Sequence, residues 1–164
     1  QVHNLVDWRT QLATVRAWKA EGRIRYAGIT HYRVDAHAEL EAVMKEEPLD
    51  FVQLNYSAVT RDAEKRLLPL AADRGVAVLV NRPFEDGAIF TRVRGRTLPP
   101  WAAEIGCDSW AQILLKYVLA HPAVTCVIPA TAKAAHMRDD LAGGTGMLPD
   151  QALRTKIVEA VEAS

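Results

Sequence analysis

Five short apolar runs in this chain each finish in polar residues, and amphipathic helical stretches separate them. The run ends read Val2-His3-Asn4, Gly28-Ile29-Thr30-His31, Val52-Gln53-Leu54-Asn55-Tyr56, Val80-Asn81-Arg82-Pro83 and Val127-Ile128-Pro129-Ala130-Thr131. Buried parallel strands alternating with helices build a βα-repeat fold. In such folds ligands bind beyond the carboxyl ends of the strands. The polar residues thus gather where a site belongs.

The chain opens on Gln1, and Gln1-Val2-His3-Asn4 reads as the end of a strand without its beginning. Native folds pair or cover an open parallel edge. The expectation is one domain over residues 1–164, the C-terminal portion of a longer βα protein whose first βα units precede this sequence.

About half of the 164 residues are apolar, enough for a real core. Twenty basic and twenty acidic side chains cancel, so no global field attracts nucleic acid or an anionic membrane. No apolar run approaches the roughly 20 residues that span a bilayer. Cys107 and Cys126 fit no metal or CxxC spacing, no metal is expected, and Cys126 reads as a buried thiol. A small-molecule partner fits best; oligomeric state is left open.

Asp7 is placed to cap a helix from Trp8 to about Glu21, with Trp8, Leu12, Val15 and Trp18 at helical spacing and Gly22 as the stop. Strands are expected near 24–30, 51–54, 77–81 and 124–128, with helices near 35–46, 61–74, 109–120, 134–142 and 150–163. Pro69 is a misfit in the third of the helices preceding the long loop and demands a kink or a later start. Residues 83–108 read as a long irregular loop, a length that is usually functional or disordered. Gly143-Gly144-Thr145-Gly146 follows a helix and reads as a C-terminal turn, not a phosphate cradle. Lacking a Gly-rich turn after the first strand, the chain favours a barrel over an open doubly wound sheet. The fold class is therefore α/β, a partial (β/α)8 TIM barrel of about five parallel strands.

Several motifs recur in order: Gln1-Val2-His3-Asn4; Glu21-Gly22-Arg23-Ile24-Arg25-Tyr26-Ala27-Gly28-Ile29-Thr30; Val52-Gln53-Leu54-Asn55-Tyr56-Ser57; Arg82-Pro83-Phe84-Glu85-Asp86-Gly87; and Val127-Ile128-Pro129-Ala130-Thr131 followed by His136-Met137-Arg138-Asp139-Asp140-Leu141. In these the chain resembles the aldo-keto reductases, (β/α)8 barrels that reduce carbonyls with NADPH, from the family's fourth strand to its C-terminal helices. The resemblance implies an oxidoreductase acting on aldehyde or ketone carbonyls, with NADPH, or else NADH, as cofactor, and a cytoplasmic location.

The implied chemistry needs a Tyr acid, a Lys–Asp pair that lowers its pKa, and a His that orients the carbonyl. His3 matches that His. The Asp, Tyr and Lys belong to earlier βα units, so this chain alone is expected to be inactive; Tyr26 and Tyr56 do not take the acid's place. Thr30-His31 stands where the family commonly has a Ser-Asn pair holding the nicotinamide carboxamide, and Gln53 matches the Gln that binds the same group. Asn81 replaces a common stacking aromatic. Arg82, Pro83, Phe84 and Gly87 match the start of the loop over the pyrophosphate.

Thr131 precedes a helix whose amides could take the adenosine phosphate. Ala130 replaces a Lys that some members use for the 2′-phosphate, and His136 stands where Arg is frequent. Asp139 and Asp140 match an acidic-or-amide pair at the adenine, Asp140 replacing an expected Asn. Arg92, Arg94 and Arg96 read first as a solvated basic loop, and Trp101 and Trp110 as packing residues. The alternative is a non-catalytic barrel that binds the cofactor and senses redox state. A barrel enzyme for phosphorylated substrates ranks below both, because it expects Gly-rich turns after the last two strands.

Overall fold

The computed structural model describes residues 1–163. Four parallel strands, β1 (Gly28–Thr30), β2 (Phe51–Asn55), β3 (Ala77–Asn81) and β4 (Cys126–Val127), pair in the order β1-β2-β3-β4. Val2 adds a single parallel bridge to Ile29, donating to the Gly28 carbonyl at 2.9 Å and accepting from the Thr30 amide at 3.0 Å. The expected first strand is thus one bridge, because a left-handed turn at Asn4 and Leu5 (φ 51° and 55°) ends it at once. The last is also shorter than expected, as an edge strand with a neighbour on one side only. For the same reason Cys126 is half-buried, not buried; Cys107 is the buried thiol.

The helices are α1 (Trp8–Ala20), α2 (His37–Glu46), α3 (Leu67–Arg74), a single turn α4 (Phe90–Val93), α5 (Trp110–Leu119), α6 (Ala134–Gly143) and α7 (Gln151–Glu162). Ser109 and Asp150 cap α5 and α7, accepting from the Gln112 amide at 3.1 Å and the Leu153 amide at 2.8 Å. Asp7 makes no such bond: its backbone is left-handed (φ 45°), and its side chain does not cap α1. Pro69 is accommodated by a late start. A 3-10 turn over Asp62–Lys65 ends in a non-helical Arg66 (φ −141°, ψ −47°), and Pro69 becomes the third residue of α3, where no intrahelical acceptor awaits an amide. The 83–108 stretch is not irregular throughout; it carries 3-10 turns at Glu85–Gly87 and Pro100–Ile105 as well as α4. Gly143 ends α6 as expected of a turn, with Gln112 Cα only 3.2 Å from where a Cβ would sit.

Burial along β2 and β3 alternates with period two. Val52, Leu54, Val78 and Val80 are fully buried and join Leu40, Met44, Leu68, Ile113 and Leu114 in one core, whereas Phe51, Gln53, Ala77 and Leu79 are half-buried. The helices therefore cover one face of the sheet. The other is the face that lines the interior when strands of this kind close into a barrel.

Lys116 is only 1% exposed, and its ammonium donates to the carbonyls of Ile105 (2.6 Å) and Met147 (2.9 Å). It pins two loops to α5. Lys116→Met keeps the stem but leaves both carbonyls without that donor, and an unsatisfied buried polar group costs roughly 1–3 kcal/mol. The expected outcome is a loss of about 2 kcal/mol in denaturant melts, with faster proteolysis at residues 99–106 and 144–149.

Candidate functional site

The strand ends build two groups of polar residues. The first is a row across the sheet. Thr30 is level with Gln53, and Gln53 with Leu79; because Val2 bridges Ile29, His3 follows at the level of Thr30. Thr30 is buried, Gln53 half-buried and His3 exposed. Gln53 Oε1 accepts from the Gln1 amide at 2.9 Å, and its carbonyl accepts the His31 N–H at 3.1 Å. The His31 Nδ1 accepts the Arg33 N–H at 3.2 Å. That leaves the ring proton on Nε2, so the free nitrogen of His31 is a donor, as an amide NH2 would be.

The second group lines a cavity of about 800 Å³ between the loop after β3, the start of α5, and the segment joining β4 to α6. Its walls include nine residues expected at a cofactor: Asn81, Arg82, Pro83, Phe84, Gly87, Thr131, His136, Asp139 and Asp140. His3, Thr30, His31 and Gln53 do not line it. The cavity also takes in Asp86, Phe90, Ser109, Trp110 and Ile128. Trp110 packs against the core, as expected, and is a cavity wall as well. Its ring is half-buried, its Nε1 donates to the Arg96 carbonyl at 3.3 Å, and the Arg96 guanidinium lies 5.9 Å from its centroid. Trp101 packs against the core and does not line the cavity.

The loop after β3 is shaped by left-handed backbone at Arg82, Glu85 and Asp86 (φ 52°, 50° and 54°), which costs energy for non-glycine residues. Side chains from neighbouring strand ends hold it. Glu85 accepts from the Ser57 hydroxyl at 2.5 Å, Arg82 pairs with Asp86 at 2.8 Å, and its guanidinium lies 5.5 Å from the Tyr32 ring centroid. The opposite wall is also fixed. Asp139 accepts from the Ser109 hydroxyl (2.8 Å) and the Gln112 amide (2.6 Å), so α6 is clasped to the first turn of α5.

Two polar groups at this cavity lack what they need. The buried Asn81 Oδ1 has no hydrogen-bond partner. Asp140 is 8% exposed. Burial, followed by the charge of Asp139, pushes its carboxyl above the ordinary range, while His136 pulls the other way. A raised native pKa adds stability that is complete below the ordinary value of 3.8 and is lost as pH climbs through the native one. Asp140→Asn is therefore expected to match the parent near pH 3 and to melt a few degrees higher at pH 7. Equal melting temperatures at both pH values would contradict it.

The Aldo/keto reductase family model matches residues 2–155. The chain belongs to that family. An uncharacterized oxidoreductase of Schizosaccharomyces pombe is 29% identical over 144 residues, covering 86% of this chain and 45% of its own length. The NADH-specific methylglyoxal reductase of Escherichia coli is 33% identical over 78 residues, covering 48% of this chain and 23% of its own length. Among solved structures, aldo-keto reductase AKR11C1 from Bacillus halodurans superposes with TM-score 0.69 at 22% identity, over 93% of this chain and 56% of that one. The thermostable aldo-keto reductase Tm1743 gives 0.67 at 23%, over 92% and 53%. The chain thus spans about half the length of the solved structures and of the first relative. At these identities the structural likeness is one of fold: the parallel sheet and its helices are those of the aldo-keto reductase barrel.

Within this aldo-keto reductase chain, Tyr26 is exposed, while Tyr56 is fully buried under the helices, with its hydroxyl between Glu64 and Arg154. Burial, then the hydrogen bond to Glu64, drives the Tyr56 pKa far upward, the wrong direction for a proton donor. Arg92, Arg94 and Arg96 are exposed, and none lines the cavity. Among the described residues, no helix is long and apolar enough to cross a membrane.

Proposed function

We propose that this chain is a single domain forming the C-terminal portion of a (β/α)8 barrel that reduces aldehyde or ketone carbonyls with a nicotinamide dinucleotide. The observation that supports this best is the gathering of nine residues expected at a cofactor around one cavity of about 800 Å³. The cavity suits a dinucleotide. It has an apolar floor at Phe84 and Phe90, hydroxyl and carboxylate groups at Thr131, Asp139 and Asp140, and an acceptor at Asn81 that still needs a donor.

In this reading, the strand-end row serves the nicotinamide end. Thr30, the His31 Nε2–H and Gln53 offer a hydroxyl, a donor and an amide to a carboxamide. Asn81, where family members commonly stack an aromatic ring, offers a polar contact instead. Arg82, Pro83, Phe84 and Gly87 would hold the pyrophosphate, and Thr131, His136, Asp139 and Asp140 the adenosine. A reduced nicotinamide, when bound, would supply the hydride. His3 donates to the substrate carbonyl and orients it, and the Tyr that protonates the oxygen comes from outside this sequence. The parent protein is expected to work in the cytoplasm on a small molecule, without nucleic acid or membrane.

The test has two arms. Titrating the chain with NADH and NADPH should change tryptophan fluorescence, since Trp110 lines the cavity; a flat titration with both removes the cofactor reading. In a protein carrying the preceding βα units, His3→Ala should cut kcat/KM for an aldehyde by about 10²-fold or more while cofactor affinity changes little. Comparable losses in both would make His3 structural.

A further inference from the structure

The wall assigned above to the adenosine is short of positive charge. Asp139 and Asp140 stand on it beside Ala130, which has no charge to offer. Among the lining residues Arg82 is the one permanent cation, and it is paired with Asp86 at 2.8 Å. Arg96 is engaged with the Trp110 ring, and Lys133 and Arg138 are exposed; none of the three lines the cavity.

A 2′-phosphate brings a charge of about −1.5 to −2 and acceptor oxygens only. Placed here it would meet two carboxyl groups and the His136 imidazole, and no free guanidinium or ammonium. Asp139 is held in place by Ser109 and Gln112, so it cannot swing away without breaking the clasp between α5 and α6. Asp140 already titrates above the ordinary range because of burial and the charge of Asp139, so negative charge is disfavoured at this spot before any ligand arrives. A ribose 2′-hydroxyl has the opposite fit: it donates, and an acidic side chain is a suitable acceptor for it.

Resting on the cofactor placement just given, we propose that this cavity selects a dinucleotide with a free 2′-hydroxyl, NAD(H), over its 2′-phosphorylated counterpart. The selection lies in Asp139, Asp140 and Ala130, all within this chain. It therefore operates on the adenosine half of the cofactor, whatever completes the barrel.

The test uses the full chain and two probes that differ only at the 2′ position, adenosine 5′-monophosphate and adenosine 2′,5′-diphosphate, followed by tryptophan fluorescence at low and moderate salt. The 5′-monophosphate should bind at least about tenfold more tightly, equivalent to about 1.4 kcal/mol. Ala130→Lys should then selectively strengthen the 2′,5′-diphosphate, and that gain should shrink with added salt. Equal affinity, or tighter binding of the 2′,5′-diphosphate, overturns the selectivity while leaving the cofactor site standing. Binding of neither probe overturns the cofactor site itself, and the selectivity with it.

Discussion

Arg154→Ala is expected to destabilise the chain by about 2–3 kcal/mol, because it removes the buried member of a charge pair whose other member, Glu64, is about a third exposed. The Arg154 side chain is 7% exposed, and its guanidinium meets Glu64 Oε1 at 2.9 Å, the Tyr56 hydroxyl at 2.5 Å, the Tyr117 carbonyl at 3.3 Å and Gln151 Oε1 at 3.0 Å. It also lies 4.6 Å from the Tyr117 ring centroid. Glu64 accepts from both tyrosine hydroxyls as well. Truncation would strand a carboxylate and two phenols beneath α7 and undock that helix. The pH dependence identifies the mechanism. Burial alone would raise the Glu64 pKa, but hydrogen bonds from Tyr56, Arg154 and Tyr117 outweigh it and hold the group below its ordinary 4.5. A depressed native pKa contributes stability above the unfolded value and loses it as pH falls through the native one. The gap between parent and variant in urea melts should therefore be full at pH 7 and narrow below about pH 4.5. A constant gap across that range would assign the loss to packing of the arginine stem alone.

Gly28→Ala is the second large effect. Gly28 pairs with Phe51 across β1 and β2. A Cβ at Gly28 would sit 2.6 Å from Phe51 Cδ2, Cε2 and the Phe51 carbonyl oxygen. The ring lies against the strand where a side chain would stand, and the carbonyl belongs to the ladder itself. A methyl group there must push β1 from β2, at a cost of about 2–3 kcal/mol for overpacking. In a domain of this size each kcal/mol lowers Tm by roughly 2–4 °C. Adding Phe51→Ala separates the two obstacles, because it removes the ring and leaves the carbonyl. Partial recovery in the double variant is the expected result; full recovery would show that the ring alone bars the position, and a stable single variant would show that the strands can part freely.

Much of this fold can be read along the chain because its determinants are local. Ser109 and Asp150 announce their helices by residue type. Val52, Leu54, Val78 and Val80 announce strands by short apolar runs bounded by turns, and the ordered motifs pointed to the residues around the cavity. What escaped depends on partners distant in sequence or on backbone torsions. The Glu64–Arg154 contact joins residues 90 apart, and neither position carries a pattern. Trp110 looks like any aromatic at a helix start until the loop after β3 folds opposite it. The left-handed turns at Asn4, Leu5 and Asp7 fall on residues that carry no glycine signal, so neither the brevity of the first strand nor the missing cap on α1 could be foreseen.

The two faces of the sheet answer to different demands. Along β2 and β3 the residues that seal the core alternate with residues that point away from it, so neighbouring positions in the sequence are nearly independent in consequence. Changes at Gln53 or Leu79 alter what the strand ends present, while Val52, Leu54, Val78 and Val80 keep the helices in place. A chain built this way can drift in specificity by single steps without first surrendering the stability that any new activity would require.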